Sequence, residues 1–68
     1  MDSVLEFRGL DRRGAGVMGS LKDISAATFV QRKFKAGWQE LRVTDAADDR
    51  LVGGLDRIDG KRIWWAEG

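Results

Sequence analysis

From Trp38 to Thr44 the chain alternates, with Gln39, Leu41 and Val43 on one side and Trp38, Glu40, Arg42 and Thr44 on the other. A period of two predicts a β-strand. Arg50 to Ile58 and Lys61 to Glu67 read as two further strands around Asp59-Gly60, a pair suited to the left-handed centre of a two-residue hairpin. That hairpin sets a register in which Ile58 opposes Lys61, Arg57 opposes Arg62 and Asp56 opposes Ile63. Leu55 then opposes Trp64, and Gly54 opposes Trp65. Asp45 to Asp49 supplies a polar turn, and Gly53-Gly54 is a candidate bulge.

Upstream the period becomes helical. Ala26, Ala27, Phe29, Val30 and Phe34 fall on one arc; Ser25, Thr28, Gln31, Arg32 and Lys35 fall on the other. Ser20 is a capping residue with Asp23 three positions on, Lys33 and Lys35 suit the carboxyl end, and Gly37 suits the position after it. Together they predict a helix from Leu21 to Ala36. Ser3 to Phe7 reads as a short strand. The four glycines from Gly9 to Gly19, with Arg12-Arg13 among them, read as a mobile loop.

The fold class is therefore α+β: one helix packed on a three-stranded antiparallel β-meander, to which the N-terminal segment can add a strand. Residues 1–68 form one small domain. Within it, 1–19 hold the N-terminal strand and glycine-rich loop, 20–37 the helix and 38–67 the meander. Adjacent Trp64 and Trp65 point to opposite faces, with Leu55 and Trp64 on one and Ile58, Ile63 and Trp65 on the other. A single helix covers only one face. The bare face predicts an interaction surface, to which Trp38, Leu55, Ile63, Trp64 and Trp65 are assigned.

Composition narrows the chemistry. The 68 residues carry a net charge of +1 and include no Cys, His or Pro. Disulfides, thiolate chemistry, the usual zinc sites and histidine acid–base catalysis are thereby excluded. Serine, threonine, lysine and carboxylate side chains remain, but no nucleophile stands beside a base, so no catalytic residue is assigned and the chain is not read as an enzyme. No apolar run is long enough to span a bilayer. A soluble cytoplasmic protein is expected, without cofactor, metal, small-molecule substrate or membrane partner. A core this small is marginal, which favours association with itself or another protein.

Three constellations merit weighing. Gly14-Ala15-Gly16-Val17-Met18-Gly19 spells a dinucleotide-binding G-x-G-x-x-G, with Glu40 about 20 residues on. It stands some six residues from the preceding strand, however, and a hairpin meander cannot build a doubly wound sheet. Asp45, Asp48 and Asp49 lack the spacing of a calcium loop and read as a turn. Arg32, Lys33 and Lys35 near the helix end join Arg42, Arg57, Lys61 and Arg62 as a basic set, with Trp64 at hand to stack a base. Arg57 opposite Arg62 is unfavourable unless an anion or acidic partner sits there. Nucleic acid bound through Arg42, Arg57, Lys61 and Arg62 is thus the alternative to a protein partner.

The stretches Phe34 to Val43, Val52 to Leu55 and Lys61 to Glu67 resemble short open-reading-frame products of actinobacteria and their phages, mycobacteriophages among them. Abundant Ala, Gly, Arg and Asp, with no Asn or Tyr, suit a GC-rich genome. The resemblance covers about half the chain and carries no catalytic or ligand-binding residue across. It implies a phage accessory factor that works in the host cytoplasm by binding a host protein.

Overall fold

Glycine decides how the N-terminal third folds. The computed structural model describes residues 4–67 and begins with strands β1 (Leu5–Leu10) and β2 (Gly16–Ser20), paired antiparallel so that Glu6 faces Ser20 and Leu10 faces Gly16. Between them Asp11 organises a tight turn. Its Oδ1 accepts the N–H groups of Arg13 at 2.8 Å and Ala15 at 3.0 Å, and Gly14 takes the left-handed conformation that an L side chain resists. The expected mobile loop is therefore a hairpin, and the sheet gains a strand. Gly19 fits it because a Cβ there would lie 3.0 Å from the Phe7 ring, which occupies the space instead.

The helix is shorter than its pattern suggests. α1 spans Ala26–Lys35, capped by Ser25 rather than Ser20: Ser25 Oγ accepts the Thr28 N–H at 3.1 Å. Leu21, just past β2, is still tied to β1 by donating to Leu5 O at 2.9 Å, and Asp23 at φ 54° turns the chain before the helix can start. The carboxyl end falls as expected, at Ala36 followed by Gly37 with φ 89°. Ser25→Ala should lower stability by about 1 kcal/mol, the usual worth of an N-cap. A urea midpoint indistinguishable from wild type would refute that role for Ser25.

The meander forms as its pattern predicts: β3 (Glu40–Asp45), β4 (Arg50–Ile58) and β5 (Lys61–Ala66). All five pairs set by the Asp59-Gly60 turn are present, from Ile58 with Lys61 to Gly54 with Trp65. The bulge lies one residue before Gly53-Gly54. Val43 pairs with Gly53 and Thr44 with Leu51, leaving Val52 as the extra residue. The five strands are ordered β2-β1-β3-β4-β5, all antiparallel, with β2 and β5 at the edges.

α1 packs over β3, β4 and β5 on one face. Odd-numbered positions of β3 meet it, so Leu41 and Val43 are buried with Leu55, Val52, Val30 and Ala26. Phe7 extends this layer through the rings of Phe29 at 4.7 Å and Trp38 at 6.1 Å between centroids. Leu55 is 0% exposed. That corrects its assignment to the contact surface, because it lies beneath the helix as core.

Candidate interaction surface

No element covers the other face of the sheet among the described residues. Alternation sends Glu6, Arg8 and Leu10 of β1, Met18 and Ser20 of β2, and Arg42 and Thr44 of β3 to that side. Leu51, Asp56 and Ile58 of β4 join them with Lys61, Ile63 and Trp65 of β5. Four large apolar side chains stand well exposed there: Met18 at 77%, Ile58 at 54%, Ile63 at 42% and Leu51 at 40%. A shallow depression of about 570 Å³ crosses four strands and is lined by Arg8, Met18, Ser20, Arg42, Thr44 and Leu51 among others.

The two tryptophans diverge as the register requires. Trp65 lies on the open face over Gly54, whose missing Cβ would sit 3.4 Å from the indole Nε1. The ring thus covers backbone that the glycine leaves bare. Trp64 is on the helix face yet 39% exposed at the sheet edge. Trp38 is half-buried against Phe7, with the Lys33 amino group 5.1 Å from its ring centroid. The five residues assigned to one contact surface therefore divide. Ile63 and Trp65 remain on the open face, Trp38 and Trp64 lie on the helix side, and Leu55 is internal. Met18, Leu51 and Ile58 complete the open patch. Met18 escaped notice because its segment looked like a loop, and Leu51 because the Val52 bulge changes which positions share a face.

The basic set divides too. Arg42 and Lys61 reach the open face, whereas Arg57 and Arg62 are on the helix face. Arg42 is held in place. Its Nη2 is 2.7 Å from Asp56 Oδ1, and its Nη1 donates to Leu41 O at 2.9 Å and Leu55 O at 3.3 Å. Arg62 resolves the like-charge pair by a route inside the fold. Its Nη1 donates to Phe34 O at 2.8 Å and Trp38 O at 3.1 Å, and its guanidinium lies 4.4 Å from the Phe34 ring centroid. The negative end of the helix is the acidic partner that pairing with Arg57 demanded.

Charge separates along the strands. The β1–β2 turn, the end of α1 and the β4–β5 hairpin lie at one end and bring Arg12, Arg13, Arg32, Lys33, Lys35, Arg57, Lys61 and Arg62 together. Among the described residues Asp11, Glu40, Asp56 and Asp59 oppose them there, Asp56 being paired with Arg42. At the other end, among the described residues, Glu6, Asp23, Asp45, Asp48, Asp49 and Glu67 outnumber Lys22 and Arg50. Arg50 donates to Glu67 there at 2.8 Å, and this hydrogen bond, with the carboxylate charge, raises the guanidinium pKa. Asp45 and Asp48 accept from the backbone N–H groups of Ala47 at 3.0 Å and Arg50 at 3.1 Å, so both carboxylates serve the turn. Taken over its whole length, the open face balances Arg8, Arg42 and Lys61 against Glu6, Glu40 and Asp56.

Gly14, Gly16 and Gly19 belong to the first hairpin, with five residues between Ser20 and α1, so the G-x-G-x-x-G does not open a helix. No helix among the described residues is long and apolar enough to cross a membrane. Comparison with protein-family models, curated proteins and solved structures finds no match to this chain.

Proposed function

We propose that the chain is a small non-enzymatic protein–protein interaction module that docks a partner protein on its open sheet face and associates with copies of itself. The observation that carries this reading is the face itself: Met18, Leu51, Ile58 and Ile63 lie exposed beside a half-buried Trp65, around balanced charges. An apolar centre with matched charge suits a protein surface and offers no excess cation to phosphate. The resemblance to phage products supports a host protein as that partner. Ile63→Lys should keep the melting temperature within about 4 °C, as surface changes do. Peptides selected from a random library on the wild-type protein should lose at least tenfold in affinity for the variant; peptides that bind both equally overturn the reading.

A second reading rests on the cationic end, where eight Lys and Arg side chains outnumber the carboxylates of Asp11, Glu40, Asp56 and Asp59. Nucleic-acid phosphate bound there predicts a mobility shift that weakens steeply between low and moderate salt. Absence of a shift at low salt removes it.

A further inference from the structure

The two edges of the sheet differ. Edge strand β5 carries Lys61, Arg62 and two tryptophans, and α1 packs over it. Edge strand β2 reads Gly-Val-Met-Gly-Ser, with no charge, proline or bulge among the usual guards against strand addition. Its hydrogen-bonding pattern follows from its two flanks. Asp11 N–H donates to Ala15 O and Leu21 N–H to Leu5 O, so the alternation in between directs Val17 and Gly19 toward β1. The N–H and C=O groups of Gly16, Met18 and Ser20 then point outward, unpaired among the described residues.

We infer that two copies of this chain join through antiparallel pairing of β2 with β2 about a two-fold axis at Met18. In that register Gly16 opposes Ser20 of the second copy and Met18 opposes Met18. All six outward backbone groups of each strand are then satisfied, and the two sheets merge into one. The occupant is a second copy because the charge pattern is self-complementary. A two-fold at Met18 sets Arg13 of each molecule opposite Asp23 of the other, joining the cationic end of each to the anionic end of its partner, where Lys22 is the one cation at this edge among the described residues. The two Met18 side chains meet on the open side and join both bare faces into a continuous surface. This inference rests on the self-association part of the reading above and leaves Leu51, Ile58 and Ile63 of the docking face free.

The chain has no cysteine, which permits a register-specific test. Gly16→Cys adds a side chain with no neighbour within 4 Å, and Ser20→Cys is nearly isosteric. Directly opposed residues have Cα atoms about 5.5 Å apart, within disulfide range, whereas equivalent residues four positions out of step are about 13 Å apart. Mixed and oxidised, the two variants should give about tenfold more covalent dimer than either gives alone. In the wild type, the Met18 amide should exchange with solvent about tenfold more slowly at high protein concentration than after dilution, since only the dimer protects it. No gain on mixing, together with concentration-independent exchange at Met18, overturns the inference. Light-scattering mass separates the two failures: a dimer lacking the cross-link rejects only this register, whereas a 7.6 kDa species at every concentration also rejects self-association.

Discussion

Leu55→Ala should lower stability by about 2 to 5 kcal/mol, the usual cost of truncating a leucine with no access to solvent. A chain of 68 residues has roughly 3 to 10 kcal/mol in total, so much of the variant population should be unfolded at 25 °C. The size of the effect follows from position. Leu55 faces Leu41 across the central strands beneath α1, where both are fully buried. Leu51→Ala, on the open face of the same strand, should cost under about 1 kcal/mol. Urea titration followed by tryptophan fluorescence measures both. Equal midpoints for the two variants would mean that the core is not where the sheet and helix place it.

The second large effect is expected at Gly9. Its backbone needs no left-handed conformation; the constraint is steric. A Cβ there would fall deep inside van der Waals contact with the Glu40 carbonyl oxygen and 3.1 Å from Leu41 Cα. Both are main-chain atoms of β3 and cannot swing aside as a side chain does. Gly9→Ala must therefore push β1 away from β3, at a cost of about 1 to 3 kcal/mol or more. Gly16→Ala is the contrast, since its Cβ meets nothing within 4 Å. It should be neutral or slightly stabilising, because a glycine within a strand gives up chain entropy without packing anything. Thermal melts of the two variants should differ by at least about 4 °C. Coincident melts would show that β1 and β3 do not approach as closely as described.

The contrast between Gly9 and Gly16 also explains what could be read before any fold was known. The β3–β5 meander was legible because Asp59-Gly60 fixes a register and alternation carries it outward. The first hairpin was not, because glycine weakens the local strand signal. Gly9 and Gly19 are required by close neighbours, the Glu40 carbonyl and the Phe7 ring, that lie far off in sequence. The helix start was misplaced for a similar reason. Ser20 and Ser25 are equivalent as caps, and Leu21 is held by a bond to Leu5 that no local pattern contains.

For the candidate site, opposite faces for Trp64 and Trp65 followed from adjacency alone. Which of Leu55 and Trp64 the helix covers did not, since both share its face. That depends on where α1 crosses the sheet. Arg62 shows the same limit: its pairing with Arg57 was legible, whereas the carbonyl groups that receive it belong to another element.

That Arg62 contact bears on how the chain reaches its native state. The acceptors at Phe34 and Trp38 wait for a donor 28 and 24 positions downstream. A ten-residue helix is too short to persist by itself. Strand β1 likewise gains its β3 neighbour only after the helix between them has been made. Partial products of synthesis thus have little to hold them, and folding should be one cooperative, comparatively slow event governed by distant partners rather than an accumulation of finished pieces.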